Sequence, residues 1–191
     1  MDIIVATKNK GKIKEIKKIL GEHNVISQDE AGIKIDVEET GTTFAENAFL
    51  KAAAIFELTG SAVIADDSGL EVDALGGAPG IYSARYGGEG LTDEDRVEKL
   101  LCEMENISHR GAQFACAMAL IMPDGQKHLF EGIVRGKLTH SVIGENGFGY
   151  DPIFIPDGYD TTFGILDSSI KNEISHRAKA LKKLSEFINN R

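Results

Sequence analysis

Short continuous apolar runs alternate along the chain with stretches in which apolar residues recur every three or four positions. The runs at residues 3–6 and 62–65 are typical of buried strands, and residues 33–37 predict a further strand. Residues 114–122 and 127–135 flank the turn sequence Pro-Asp-Gly, so they predict a long antiparallel hairpin. One more short strand is expected near the end of the chain, at residues 153–155.

Four segments have helical periodicity. The first has Asn9 as its expected N-cap and ends at Gly21, and the second begins at Thr43 with the capping-box sequence Thr-Phe-Ala-Glu. The other two are predicted at residues 92–104 and 175–188. Because these helices alternate with buried strands and one hairpin, the pattern predicts an α/β fold with a mixed sheet.

Composition narrows the classes of function. The 191 residues suit one domain over 1–191, and 21 basic against 30 acidic residues give a net charge of −9. An acidic surface repels phosphate backbones, which argues against nucleic-acid polymers as partners. The longest apolar run, at residues 114–122, is too short to cross a membrane, and the first residues do not resemble a signal peptide. A cytoplasmic protein without membrane association is expected.

The cysteines and histidines argue against a zinc site. Cys102 and Cys116 are far apart in sequence and each lies in an apolar stretch, so both are expected to be buried thiols. The five histidines show no H-x-H or H-x-x-x-H spacing. Any metal should therefore be a hard cation held by carboxylates.

The start of the first helix has the wrong charge for a helix N-terminus. Lys10 and Lys12 fall at its first and third positions, with Gly11 between them and Lys8 just before. The N-terminal helix dipole favours acidic residues, and a cation there costs about 0.3–1 kcal/mol. A bound polyphosphate would accept the free amides, the lysines and the Thr7 hydroxyl together. The alternative is that exposed lysines simply extend into water.

The same reversal of charge is found at the last helix, where the expected cap Ser175 is followed by His176 and Arg177. Two such helix starts predict sites that are satisfied only when an anion is bound.

Acidic residues lie on other segments. Asp66 and Asp67 directly follow a buried strand, so both carboxylates are expected at its carboxyl end, where open α/β sheets bind ligands. Adjacent residues on extended chain point oppositely, so one of the two should face the site. Glu38 or Glu39 can bring a second carboxylate. Mg²⁺ is typically held by one or two carboxylates together with substrate phosphates, and the chemistry would then be phosphoryl transfer. An Asp-rich turn and a solvated acidic loop are the structural alternatives.

A glycine-rich stretch at residues 144–149 precedes the sequence Tyr150-Asp151-Pro152. Its Phe148 and Tyr150 either fill the core or stack on a flat ligand that the flanking glycines allow to approach. The following proline is expected to hold Asp151 extended.

Five segments together resemble the Ham1/inosine triphosphatase family of non-standard purine nucleoside triphosphate pyrophosphatases. They are ATKNKGK at 6–12, ETGTTFAENA at 39–48, ADDSGLEVDALGGAPGIYSARY at 65–86, GFGYDPIF at 147–154 and ISHR at 174–177. The resemblance extends from residue 3 to about 188. Departures are Gly164-Ile165, where the family commonly has a small residue and then Glu, and Ala178, where a glycine often stands.

This resemblance implies hydrolysis of ITP, dITP and XTP to the monophosphate and pyrophosphate, with Mg²⁺, by a homodimer that removes deaminated purines from the nucleotide pool. The implied fold is a long mixed sheet with two lobes and a nucleotide-binding cleft between them. The implied metal ligands are Glu39 and Asp67, with Asp67 also the base that activates water. The implied residues for the triphosphate are Thr7, Lys8, Asn9, Lys10, Gly11 and Lys12, with Lys51 a weaker candidate for the phosphates. Ser68 would touch the substrate, and Phe148, Gly149 and Tyr150 would stack on or flank the purine. Asp151, Lys171, His176 and Arg177 would hold the base and sugar end.

Purine discrimination would rest on hydrogen bonding. Hypoxanthine and xanthine present an O6 acceptor to which His176 or Arg177 can donate, whereas adenine would leave those donors unpaired. The contact that rejects guanine is not identified. Two other hypotheses stay open: a nucleotide-binding sensor that does not hydrolyse, and a pool-cleaning enzyme for modified pyrimidine triphosphates.

Overall fold

The structure, a computed structural model, describes residues 1–191. The strands are β1 (Asp2–Val5), β2 (Asn24–Ser27), β3 (Ala62–Val72), β4 (Gly111–Ile121), β5 (Lys127–Leu138) and β6 (Phe154–Pro156). The helices are α1 (Lys10–Ile19), α2 (Phe44–Thr59), α3 (Asp93–Glu103), α4 (Ser168–Ile174) and α5 (His176–Asn189). Single 3₁₀ segments occur at Asp73–Leu75, Gly80–Arg85 and Asp151–Ile153. None of the helices is long and apolar enough to cross a membrane.

The six strands form one mixed sheet in the order β2-β1-β3-β4-β5-β6. Strand β1 runs parallel to both neighbours, and its Ile3 pairs with Val25 on one side and Ala62 on the other. Strand β6 is antiparallel to β5, with Phe154 opposite Leu138. The predicted α/β class, the mixed sheet and the long hairpin are thus confirmed.

Two predictions about secondary structure are wrong, and one helix has no counterpart in the sequence analysis. Residues 33–37 form no strand, and the edge strand beside β1 is β2, whose four residues are too few and too polar to stand out in the sequence. Strand β3 continues through Asp66 and Asp67 as far as Val72 instead of ending before them. The segment before α5 contains a separate helix, α4, with Ser175 between the two.

The chain divides into two compact units. The first consists of residues 1–67, 116–132 and 177–191, and the second of residues 68–115 and 133–176. The prediction of one domain over 1–191 stays a prediction.

The first unit is a three-layer arrangement that follows from the alternation of side chains along its strands. Ile3, Val5 and Ile64 point to one face and pack against α1 and α5. Ile4 and Val63 point to the other face and pack against α2. Since the strands are buried on both faces, their sequences are continuous apolar runs.

The second unit has its own core, in which α3 contributes Val97 and Leu100. At its centre the ring of Phe114 meets Phe154 edge-on, with ring centroids 4.6 Å apart, and Phe154 stacks on Phe163 at 5.8 Å.

Candidate functional site

The loop between β1 and α1 is built as a helix N-terminus without an acidic first turn, as predicted. Asn9 is extended, and its side chain caps α1 by accepting a hydrogen bond from the Lys12 amide at 3.0 Å. The Thr7 hydroxyl accepts one from the Asn9 amide at 3.2 Å. Lys10 and Gly11 occupy the first two helical positions. The lysine before them, Lys8, is paired with the exposed Asp36 at 2.5 Å.

Lys12 pairs with Asp66 of β3. Asp66 is fully buried, and it also accepts a hydrogen bond from Arg177 Nε at 3.0 Å and one from the Cys116 thiol at 3.0 Å. Arg177, itself buried, pairs in addition with Glu15 of α1. These five residues form a buried ionic network in the first unit.

This network corrects the expectation for α5. Arg177 does not require a bound anion, because its guanidinium already pairs with the negative charges of Asp66 and Glu15. Burial alone would raise the pKa of the Asp66 carboxyl, but Arg177 and Lys12 outweigh it and hold that pKa well below its ordinary value. Asp66 is therefore an ionised internal counter-ion, and the positive charges of two helix starts converge on it.

Asp67, the next residue of β3, belongs to a second cluster in the first unit. Lys51 of α2 reaches into it and lies 2.6 Å from Glu39 Oε1, 2.7 Å from the Asp66 carbonyl oxygen and 3.4 Å from Asp67 Oδ1. The neighbouring Glu38 is exposed. Adjacent aspartates thus serve different clusters, as the alternation of an extended chain predicts.

The pKa of the Asp67 carboxyl is strongly perturbed in this cluster. Burial raises its pKa to about 6, with Lys51 acting against the rise and Glu39 adding to it. Its Oδ2 atom is buried without any hydrogen-bond partner. Burying a carboxylate oxygen without a hydrogen-bond partner costs folding free energy unless a ligand or a cation binds it.

The donor set suits a hard cation only in part. No group of three or more acidic, histidine or cysteine side chains is arranged to hold a metal ion. Glu39 and Asp67 do offer carboxylate oxygens beside one another, and Asp67 Oδ2 is available to a ligand. Two carboxylates completed by substrate phosphates are what Mg²⁺ usually requires.

The glycine-rich loop of the second unit has Phe148 at its centre. The ring of Phe148 is half-buried, and Lys171 Nζ lies 4.5 Å from its centroid. Lys171 also pairs with the buried Asp151 at 2.6 Å. Asp151 begins a 3₁₀ turn, so the prediction that the following proline holds it extended is wrong. A carboxylate, an ammonium and an aromatic ring are therefore held together at this loop.

The other predicted residues of the second unit differ in accessibility. Tyr150 is buried and its hydroxyl donates to the Ser83 carbonyl oxygen at 2.8 Å, so its ring belongs to the core. His176 is buried with its ring stacked on Phe114 at 4.9 Å. Ser68 is half-buried on β3. Phe148 is thus the more accessible of the two predicted rings.

Sequence analysis missed two members of the ionic network. Glu15 and Cys116 bond Arg177 and Asp66 over separations of 162 and 50 residues, which no local pattern reveals. The other cysteine, Cys102, is exposed on α3, contrary to the prediction that it is buried.

Comparison with known proteins shows the family of this chain. The profile of the Ham1 family matches residues 3–187. The dITP/XTP pyrophosphatase of Streptomyces avermitilis is 50% identical over 188 residues, covering 95% of this chain and 94% of that protein. The dITP/XTP pyrophosphatase of Bacillus licheniformis is 49% identical, covering 98% and 97%. The Ham1 protein structure from Staphylococcus aureus superposes with a TM-score of 0.90 at 46% identity, covering 100% of this chain and 99% of that one. A HAM1 protein from Coxiella burnetii gives 0.91 at 39% identity, with both chains fully covered. The chain belongs to the Ham1 family.

Proposed function

We propose that this protein hydrolyses dITP, ITP and XTP to the nucleoside monophosphate and pyrophosphate. The observation that carries the proposal is the buried, unpartnered Oδ2 of Asp67, on a carboxyl whose pKa is raised to about 6, beside Glu39 and Lys51. The names of relatives about 50% identical over nearly the whole chain support the same substrates.

The triphosphate is assigned to the loop of residues 7–12. The helix start offers amide donors and carries no acidic residue in its first turn. Lys12 and Lys8 add positive charge, which pairs with Asp66 and Asp36. Lys51 is a further candidate for the phosphates, because its ammonium lies beside Glu39 and Asp67, the two carboxylates assigned to the cation.

Glu39 and Asp67 would hold Mg²⁺, which when bound neutralises phosphate charge and lowers the pKa of water. Asp67 is assigned as the base that takes the proton of the attacking water at Oδ2. Without a bound cation its pKa is about 6, so the carboxylate is ionised at neutral pH and is more basic than an ordinary aspartate. Lys51, which pairs with both carboxylates, offsets part of the repulsion between Asp67 and Glu39.

The nucleobase is assigned to residues of the glycine-rich loop and to α4 and α5. Phe148 offers a half-buried ring, and Lys171 a positive charge beside it. Tyr150 supports the loop from the core. We assign the donor for the purine O6 to His176 in preference to Arg177, whose nitrogens already point to Asp66 and Glu15.

A substrate panel tests this proposal. The protein is incubated with Mg²⁺ and ITP, dITP, XTP, ATP, GTP or a modified pyrimidine triphosphate, and pyrophosphate release is measured through a coupled pyrophosphatase. We expect kcat/KM to be far higher for the first three. Binding of these nucleotides without pyrophosphate release would identify a nucleotide sensor. A higher kcat/KM for the modified pyrimidine triphosphate would identify a pool-cleaning enzyme for pyrimidines. The homodimer and the cytoplasmic location implied by the family stay expectations. Light scattering, which measures the mass of the particle in solution, would test the homodimer.

A further inference from the structure

Two consecutive backbone amides in the glycine-rich loop are held by two different carboxylates. The Phe148 amide donates to Asp151 Oδ2 at 3.0 Å. The Gly149 amide donates to Asp93 Oδ2 at 2.9 Å. The first carboxylate is buried within the loop itself, whereas the second comes from α3, 56 residues earlier in the sequence.

Glycines on either side leave this loop little rigidity of its own. Gly147 and Gly149 both have positive φ, at 75° and 59°, which other residues rarely adopt. A Cβ on Gly147 would also collide with the Asp151 carboxylate. The direction of the Phe148 side chain is therefore held in part by the two amide–carboxylate bonds that flank its Cα, together with the contact of its ring with Lys171.

Asp93 is itself well fixed. It is the first residue of α3, whose start is secured by a capping box between Thr92 and Asp95. Its second oxygen, Oδ1, lies 3.4 Å from Arg96 on the next turn. The same helix and loop line a cavity of about 940 Å³, to which α3 contributes Val97 and the loop contributes Phe148.

We propose that Asp93 is a positioning residue: by holding the Gly149 amide, it fixes the Phe148 ring for the nucleobase. This inference rests on the proposed role of Phe148 in base binding. Asp93 acts through the loop and touches neither phosphate nor metal in this assignment. Its loss should therefore weaken binding of the substrate and leave the chemical step intact.

Three variants separate this role from a general effect of charge at the start of the helix. Asp93→Ala removes the acceptor, whereas Asp93→Asn keeps an acceptor oxygen and removes only the charge. Glu94→Ala removes a neighbouring charge from the same helix end without a bond to the loop. For ITP and Mg²⁺ we expect KM to rise about tenfold in Asp93→Ala, as for loss of one hydrogen bond. We expect kcat to stay within about twofold, and both other variants to resemble wild type.

Equal KM increases in Asp93→Ala and Glu94→Ala, or no increase in either, would overturn the proposal. So would a loss of kcat without a change in KM.

Hydrogen exchange measured by NMR on the nucleotide-free protein gives a second readout that does not depend on activity. The Gly149 amide should exchange faster in Asp93→Ala than in wild type, and at the wild-type rate in Asp93→Asn and Glu94→Ala. If ITP, dITP and XTP are not hydrolysed by the wild type, the proposed function fails, and this exchange pattern still decides whether Asp93 holds the loop. Unchanged exchange in Asp93→Ala would refute it.

Discussion

Replacing Asp67 with Asn should stabilise the metal-free protein while it abolishes catalysis. Burial raises the pKa of Asp67 from 3.8 to about 6, so ionising this carboxyl is harder in the folded chain than in the unfolded one. Lys51 compensates only in part. Asn has nearly the same shape and carries no charge, and Glu39 remains 2.6 Å from Lys51 to neutralise it.

The magnitude follows from proton linkage. Between the unfolded and folded pKa values the folded state binds more protons than the unfolded state, so stability falls as the pH rises through this window. A pKa raised from 3.8 to about 6 destabilises the folded state by about 3 kcal/mol, and this penalty is nearly absent below about pH 3 and nearly complete above about pH 7. At pH 5 about half of the penalty is already present, so between pH 5 and pH 8 the stability difference between Asp67→Asn and wild type should grow by about 1.4 kcal/mol.

Urea unfolding in EDTA at pH 5, 6, 7 and 8 measures this difference. Glu38→Gln is the matched control, because it removes an exposed acid from the segment next to Glu39. Its difference from wild type should not change with pH in this way. If the stability difference between Asp67→Asn and wild type stays constant or shrinks as the pH rises, burial does not destabilise the Asp67 carboxylate in the folded protein.

Four further outcomes are expected. Removing Mg²⁺ with EDTA should abolish pyrophosphate release from ITP, and restoring it should raise the melting temperature of wild type more than that of Asp67→Asn; equal shifts would place the cation elsewhere. Lys12→Ala should raise KM for ITP at least tenfold and lower the melting temperature, because Asp66 loses a buried partner, whereas the exposed Lys14→Ala should do neither. Phe148→Ala should raise KM severalfold more for ITP than for inorganic tripolyphosphate, and equal effects would argue against stacking. His176→Ala should lower kcat/KM for ITP more than for ATP; an unchanged ratio would remove His176 from recognition of O6.

The local features of this chain are predictable where short-range rules decide them. Asn9 caps α1 and Thr43 caps α2, because both side chains bond amides three residues ahead. The left-handed Gly60 ends α2 for an equally local reason. By contrast, residues 24–27 form a strand because they pair with β1, and their own composition does not predict a strand.

The candidate site shows the same limit. The charge at the helix start points to Lys12, and the position after a buried strand points to Asp67. The structure brings the two close enough for Lys12 to lower the pKa of Asp67. The sequence gives no sign that Asp66 is the counter-ion for Lys12 and Arg177, because that ion pair joins residues 111 apart. The sequence therefore predicts a bound anion beside Arg177, whereas in the structure Asp66 and Glu15 supply the negative charge.

The central claim is that ITP is cleaved to IMP and pyrophosphate with Asp67 as the base. A ³¹P NMR time course of ITP with the protein and Mg²⁺ tests it most directly, because it identifies every phosphorus-containing product. We predict IMP and pyrophosphate in equal amounts, and no turnover by Asp67→Asn. Accumulation of IDP and orthophosphate, or undiminished turnover by Asp67→Asn, would contradict the account.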